Sequence, residues 1–239
     1  MDGADGGDRT RRRAWLLHRR TSATAGLAMV LVAVLMGAWF GWQTVGTNVV
    51  AHRAQDHEVS RTVGRWDQAT VAAATTLEHA PRPRPASGTE PAVIRIPRFG
   101  TSYAVPIHPG VTDEVLARGF GHFKVSAAPG GWGNYALAAH RVTHGEPLRH
   151  VLDLRPGDKV SVTTRHWTYV YRLDTDPRRL TVTRDGVWVV DFHPINPDPH
   201  GVNPTTHLRL LTLVTCAELF HTDDRTVVFG HLVRATPRR

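Results

Sequence analysis

Apolar positions cluster at the two ends of the chain and alternate with polar ones between them. Ala23 to Trp42 is a nearly unbroken apolar run, and no charged side chain occurs from Thr21 to Ala51. At about 1.5 Å rise per residue, twenty helical residues cross a hydrocarbon layer of roughly 30 Å. Near the other end, Leu208 to Thr215 and Thr226 to Val233 read as two buried strands. Between the ends, short runs predict strands at Val93–Ile96, Tyr103–Ile107, Tyr135–Ala139, Lys159–Thr164, Thr168–Leu173 and Gly186–Asp191. Thr112 to Arg118 predicts a helical turn with Thr112 as N-cap. Arg155-Pro156-Gly157-Asp158 is a turn, and His193 to His207 is a long loop holding four prolines. Many short strands, turn signals and little helix predict a mainly β domain, a barrel or a sandwich.

Proline and charge divide the chain. Val49 to His79 is polar and alanine-rich and has only a weak helical pattern. The alternating prolines of Pro81 to Pro85 favour an extended, semi-rigid spacer. The expected organisation is a basic cytoplasmic tail over 1–20, a transmembrane anchor over 21–48, a stalk and Pro-rich linker over 49–91, and a folded domain over 92–239. Six arginines and three aspartates occupy the first twenty residues, so the positive flank is expected to stay in the cytoplasm. Trp15 on one side, and Trp39, Phe40 and Trp42 on the other, suit the two interfaces. A cleaved signal peptide is the competing reading. Its apolar region would be shorter, about 7–15 residues, and a small-x-small site would follow. The expected placement is therefore a single-pass protein of the cell membrane with an extracellular folded domain.

The net charge of +8 is compatible with nucleic acid, but outside the tail it is scattered, and no nucleic-acid motif occurs. The single cysteine, Cys216, excludes an intramolecular disulfide and a zinc site built from paired cysteines. His140 and His144 are four apart like a zinc hydrolase pair. Arg141 stands where that motif needs its Glu, and Gly145 and Pro147 oppose a continuing helix. No cofactor or metal is therefore expected.

Cys216 sits where the first of the last two apolar runs stops, and Arg225 nine residues on, where the second begins. A cysteine nucleophile needs thiolate character and a proton-exchanging partner, usually histidine. Among fifteen histidines, His140 stands out because it ends a strand of small residues, with His144 next. Arg225 has the charge and the donors to face an oxyanion. The bland alternatives are a buried, inert cysteine and an arginine paired with Asp223 or Asp224.

Thr212-Leu213-Val214-Thr215-Cys216 resembles the Thr-Leu-x-Thr-Cys signature of the sortases, with Arg225 at the position of the family arginine. Ala138 to Leu148 resembles the segment bearing their catalytic histidine. With Asn134 upstream and Leu154 to Asp158 downstream, its wording is similar to class E sortases of high-GC Gram-positive bacteria. The resemblance covers about Val93 to Val233. It implies an eight-stranded sortase β-barrel with short helices. It also implies a transpeptidase that cuts a Leu-Ala-x-Thr-Gly or Leu-Pro-x-Thr-Gly sorting signal between Thr and Gly through a thioester on Cys216. His140 would move the proton and Arg225 would stabilise the oxyanion, with Thr215 and Phe123 as substrate-binding residues. The implied partners are secreted proteins with C-terminal sorting signals and a peptidoglycan precursor amine.

The sequence departs from the family pattern in places. Ala139 stands where glycine commonly precedes the histidine. Ala217-Glu218 stands where Asn-Pro is common, and Phe123 lacks the hydroxyl of a class E tyrosine linked with the alanine preference. Two other functions fit an anchored β-domain. One is a binding domain without chemistry; the other is an L,D-transpeptidase, whose Ser-His-Gly-Cys context is absent here.

Overall fold

The structure is a computed structural model that describes residues 27–39, 41–42, 46–76, 90–183, 185–205, 208–216 and 223–238. The chain forms two compact units, Met1–Gly46 and Thr47–Arg239. In the first, residues 27–39 are helical (α1). Leu27, Met29, Val30, Leu35 and Met36 are exposed along it. No helix among the described residues is long and apolar enough to cross a membrane. The anchor expected over 21–48 includes residues 21–26, 40 and 43–45, which lie outside the described residues, as do the tail over 1–20 and Pro81, Pro83 and Pro85 of the linker.

The second unit is a barrel with one long helix. Helix α2 (Thr47–Thr76) precedes β1 (Ala92–Arg95), β2 (Val105–Pro109), α3 (Asp113–Leu116), β3 (Phe120–His122) and β4 (Asn134–Ala138). Then come β5 (Lys159–Thr163), β6 (Trp167–Leu173), β7 (Thr181–Val182), β8 (Leu210–Cys216) and β9 (Arg225–Pro237). The strand order is β6-β5-β1-β2-β3-β4-β8-β9-β7, and a β6–β9 pairing closes eight strands into a barrel. The two-residue β7 pairs with the first residues of β9, at Thr226 and Arg225. The later residues of β9 pair with β6 along the same edge, with a register shift at Val170/Tyr171.

Strand β8 shows why its sequence reads as a continuous apolar run. Leu211 and Leu213 point into the barrel core beside Val228, Leu137 and Tyr171. Val214 points the other way, into a second apolar cluster with Ala136, Leu180, Val189, Val190, Val227 and Phe229. A strand covered on both faces needs apolar residues on both, so alternation disappears. Full burial of each such aliphatic side chain contributes about 1.5–3 kcal/mol.

The expected strand over Gly186–Asp191 is instead a 3-10 helix, Val187–Val190. The buried Asn134 amide donates to the carbonyls of Val189 and Asp191, both at 3.0 Å, engaging acceptors that a ladder would need. Strand β3 was not expected, because glycine lowers strand propensity. Gly121 is required there: a Cβ would lie 2.4 Å from the Gly110 carbonyl oxygen. Thr112 occupies the N-cap of α3, without a capping hydrogen bond from its side chain.

Residues 49–76 of the expected stalk, with Thr47 and Asn48 of the expected anchor, form a helix seated on the barrel. Val59, Val63 and Trp66 recur at helical spacing, and Val59 and Trp66 bury against Val93. The Arg238 guanidinium donates to Asp67 at 2.7 Å and lies 5.2 Å from the Trp66 ring. Arg118 donates to Glu58 at 3.2 Å. A three-residue stripe on a thirty-residue helix explains the weak periodicity of the sequence.

Candidate active site

Three neighbouring strands bring the predicted positions to one end of the barrel. Strands β4 and β8 run parallel, with Ala138 level with Val214. The ladder continues one residue further, where the Ala139 amide donates to the Val214 carbonyl at 3.2 Å. Strand β9 runs back beside β8, and Cys216 and Arg225 are direct Cα partners. His140 follows the last bonded residue of β4, and Cys216 ends β8. By the period of two, positions 140, 216 and 225 share the parity of Ala136, Val214 and Val227, the outer face that carries the second cluster.

Thr215, expected to bind substrate, is buried, and its hydroxyl donates to the Ala139 carbonyl at 2.7 Å. That bond ties the residue before Cys216 to the residue before His140. Phe123 is half-buried and packs against the second cluster together with Trp188, Val182 and Val202. The Arg225 Nη1 donates to the Asp224 carbonyl at 3.0 Å.

His140 is the electrostatically unusual group. Its Nε2 is buried and has no hydrogen-bond partner among the described residues. Its ring lies 5.1 Å from the His144 ring. Burial pushes the His140 imidazole below its ordinary value, His144 pushes the same way, and Asp113 opposes them. The shift favours the neutral form of the ring.

The family model described as the sortase domain matches residues 94–233. The chain belongs to the sortase family. It is 29% identical to sortase SrtE1 of Streptomyces coelicolor over 229 residues, which is 91% of this chain and 58% of that protein. It therefore spans less than two thirds of that relative's length. The structure of sortase E from Streptomyces avermitilis is similar at 34% identity and a TM-score of 0.53, covering 64% of this chain and 93% of that one. Sortase E1 of Streptomyces coelicolor, solved with a tripeptide in its active site, is similar at 30% identity and a TM-score of 0.53, covering 65% and 94%. These relatives are class E enzymes, and the resemblance of this sortase is to that class.

At the opposite end of the same strands, the Thr212 hydroxyl donates to the Asn134 Oδ1 at 2.6 Å. Other residues near the site had no signal in the sequence. Asp113 reaches His140 from α3 only through the fold. Asn48 and Gln55 of α2 bond to the loop after His140, across more than eighty residues of chain.

Proposed function

We propose that this sortase is a membrane-anchored cysteine transpeptidase. It cleaves a Leu-Ala/Pro-x-Thr-Gly sorting signal between Thr and Gly and joins the protein to a cell-wall precursor amine. The observation that carries this reading is the register of β4, β8 and β9. It sets a histidine, a cysteine and an arginine at adjacent strand ends on one face. The tripeptide in the active site of the related sortase E1 is in keeping with a peptide substrate.

The chemistry follows from the groups. The Cys216 sulfur attacks the threonine carbonyl carbon, and its proton passes to the neutral His140 imidazole. The carbonyl oxygen becomes an oxyanion facing Arg225, whose guanidinium presents a fork of donors. The imidazolium then protonates the glycine nitrogen, the C–N bond breaks, and a thioester remains on Cys216. The incoming amine attacks the thioester, gives its proton to His140, and the thiolate leaves to recover that proton. Thr215 serves this sequence by fixing the Ala139 carbonyl, so that His140 and Cys216 move as one unit. Phe123 and the apolar residues packed near it supply a wall for the apolar part of the signal.

A second class of function is a wall-binding β-domain with an inert cysteine. Both are tested by incubating the full chain with Leu-Ala-x-Thr-Gly and Leu-Pro-x-Thr-Gly peptides and hydroxylamine, followed by intact-protein and peptide mass spectrometry. The expected result is a cut after threonine, a hydroxamate product and an acyl adduct lost in Cys216→Ala. Equal turnover by Cys216→Ala overturns the mechanism, and no turnover by the native chain favours the binding domain.

A further inference from the structure

Helix α2 grips the loop that carries His140. This loop is closed at its base, where the Leu148 amide donates to the His140 carbonyl at 3.0 Å. At its far end three consecutive residues are left-handed: His144 (φ 54°), Gly145 (φ 82°) and Glu146 (φ 47°). Non-glycine residues hold that conformation only where their surroundings enforce it. Two side chains of α2 do so. The Asn48 Oδ1 accepts from the Gly145 amide at 3.0 Å, and its Nδ2 donates to Glu146 Oε1 at 2.7 Å and to the Val142 carbonyl at 3.3 Å. Two helical turns on, Gln55 is 2% exposed, and its Nε2 donates to the His144 carbonyl at 3.1 Å. A Cβ on Gly145 would lie 2.9 Å from the Gln55 Oε1, so the contact is close.

The division of labour along α2 is informative. Its middle docks through Val59 and Trp66 and an ion pair at Asp67. Its first two turns bury amides instead, and those amides bond to the main chain of the 142–146 turn. The same turn sets the His144 ring beside the His140 ring.

We propose that Asn48 and Gln55 are positioning residues for His140: they hold the 144–146 turn left-handed, and the turn holds His144 against His140. The proposal rests on the reading of His140 as the proton carrier. The groups that face His140 are His144 on its own loop and Asp113 from α3, with positions 216 and 225 at the ends of β8 and β9. Loss of the clamp lets the turn relax, admits water to the imidazole and moves His144 away. Both effects raise the affinity of His140 for its proton.

The test uses the full chain in detergent micelles and three variants: Asn48→Ala, Gln55→Met and, as a control, Asp67→Ala. The His140 imidazole is titrated by NMR, and kcat and KM are measured on a sorting-signal peptide. Asn48→Ala and Gln55→Met are expected to move the His140 titration up towards its ordinary range. They are expected to lower kcat by about 10- to 100-fold with KM within about threefold of the native value, because misplacement of a catalytic group acts on the chemical step. Asp67→Ala should leave both readings as in the native chain. An unchanged titration in a folded Gln55→Met chain overturns the proposal. So does an equal shift in Asp67→Ala, because the helix would then act through general stability. Should Asn48→Ala fail to fold, Gln55→Met decides by the same readings. A native chain that turns over no peptide refutes the catalytic reading alone, because the titration still reports whether α2 controls the imidazole.

Discussion

Strands β4 and β8 end differently at their two ends. At one end Asn134, fully buried, accepts from Thr212 and donates to Val189 and Asp191, so both sides of its amide are engaged. At the other end, two residues past β4, His140 keeps a buried nitrogen without a partner among the described residues. A buried polar group left unpaired costs about 1–3 kcal/mol, so folding alone would favour a partner there. The saturated end locks strand register and the 3-10 helix. The unsaturated end leaves a buried imidazole nitrogen open near the strand ends where positions 216 and 225 pair. In the proposed mechanism, one pair of strands thus carries a structural terminus and a reactive terminus.

That contrast is easiest to break at the reactive end. Cys216→Ala is expected to lower peptide cleavage by at least about 1,000-fold while the fold is kept, measured as kcat/KM and by circular dichroism. Arg225→Lys should lower kcat by about 100-fold, because a point charge replaces a fork of donors at the oxyanion. Loss smaller than twofold would remove Arg225 from the mechanism. Thr215→Val deletes the bond to the Ala139 carbonyl, and about a tenfold fall in kcat with about 1–2 kcal/mol of lost stability is expected. Thr212→Val sharpens the contrast from the saturated end: about 1–3 kcal/mol of stability is lost in urea melts, with kcat changed less than twofold.

The pH dependence follows from His140. Its folded-state proton affinity is lowered by burial and by His144. The neutral ring therefore favours the fold above its unfolded value of about 6.5. As pH falls from there through the lower folded value, the unfolded chain takes up the proton first, and this contribution to stability is lost. The acid limb of kcat/KM is expected below the ordinary imidazole range, and a limb at or above it would contradict a desolvated base.

Much of the site was legible because its signals are local. Thr212 to Cys216, with Arg225 nine residues on, is contiguous enough to read, and the antiparallel pairing of β8 with β9 makes its ends meet. His140 was legible as the end of a strand of small residues. The long-range partners were not. Asn48 and Gln55 look like ordinary polar residues on a helix with weak periodicity, and only docking of α2 brings them to the 142–146 turn. The 3-10 helix at Val187–Val190 was read as a strand because its apolar run suits either state, and the Asn134 amide decides between them.

By itself, then, the sequence determined the mainly β domain and singled out a cysteine, a histidine and an arginine as candidates, because short-range pattern and motif spacing carry both. Only the tertiary structure decided how the barrel closes, that helix α2 lies on it, and that the His140 nitrogen is buried without a partner among the described residues. Those outcomes depend on contacts between segments dozens of residues apart, where hydrogen bonding and burial between elements outweigh local preference.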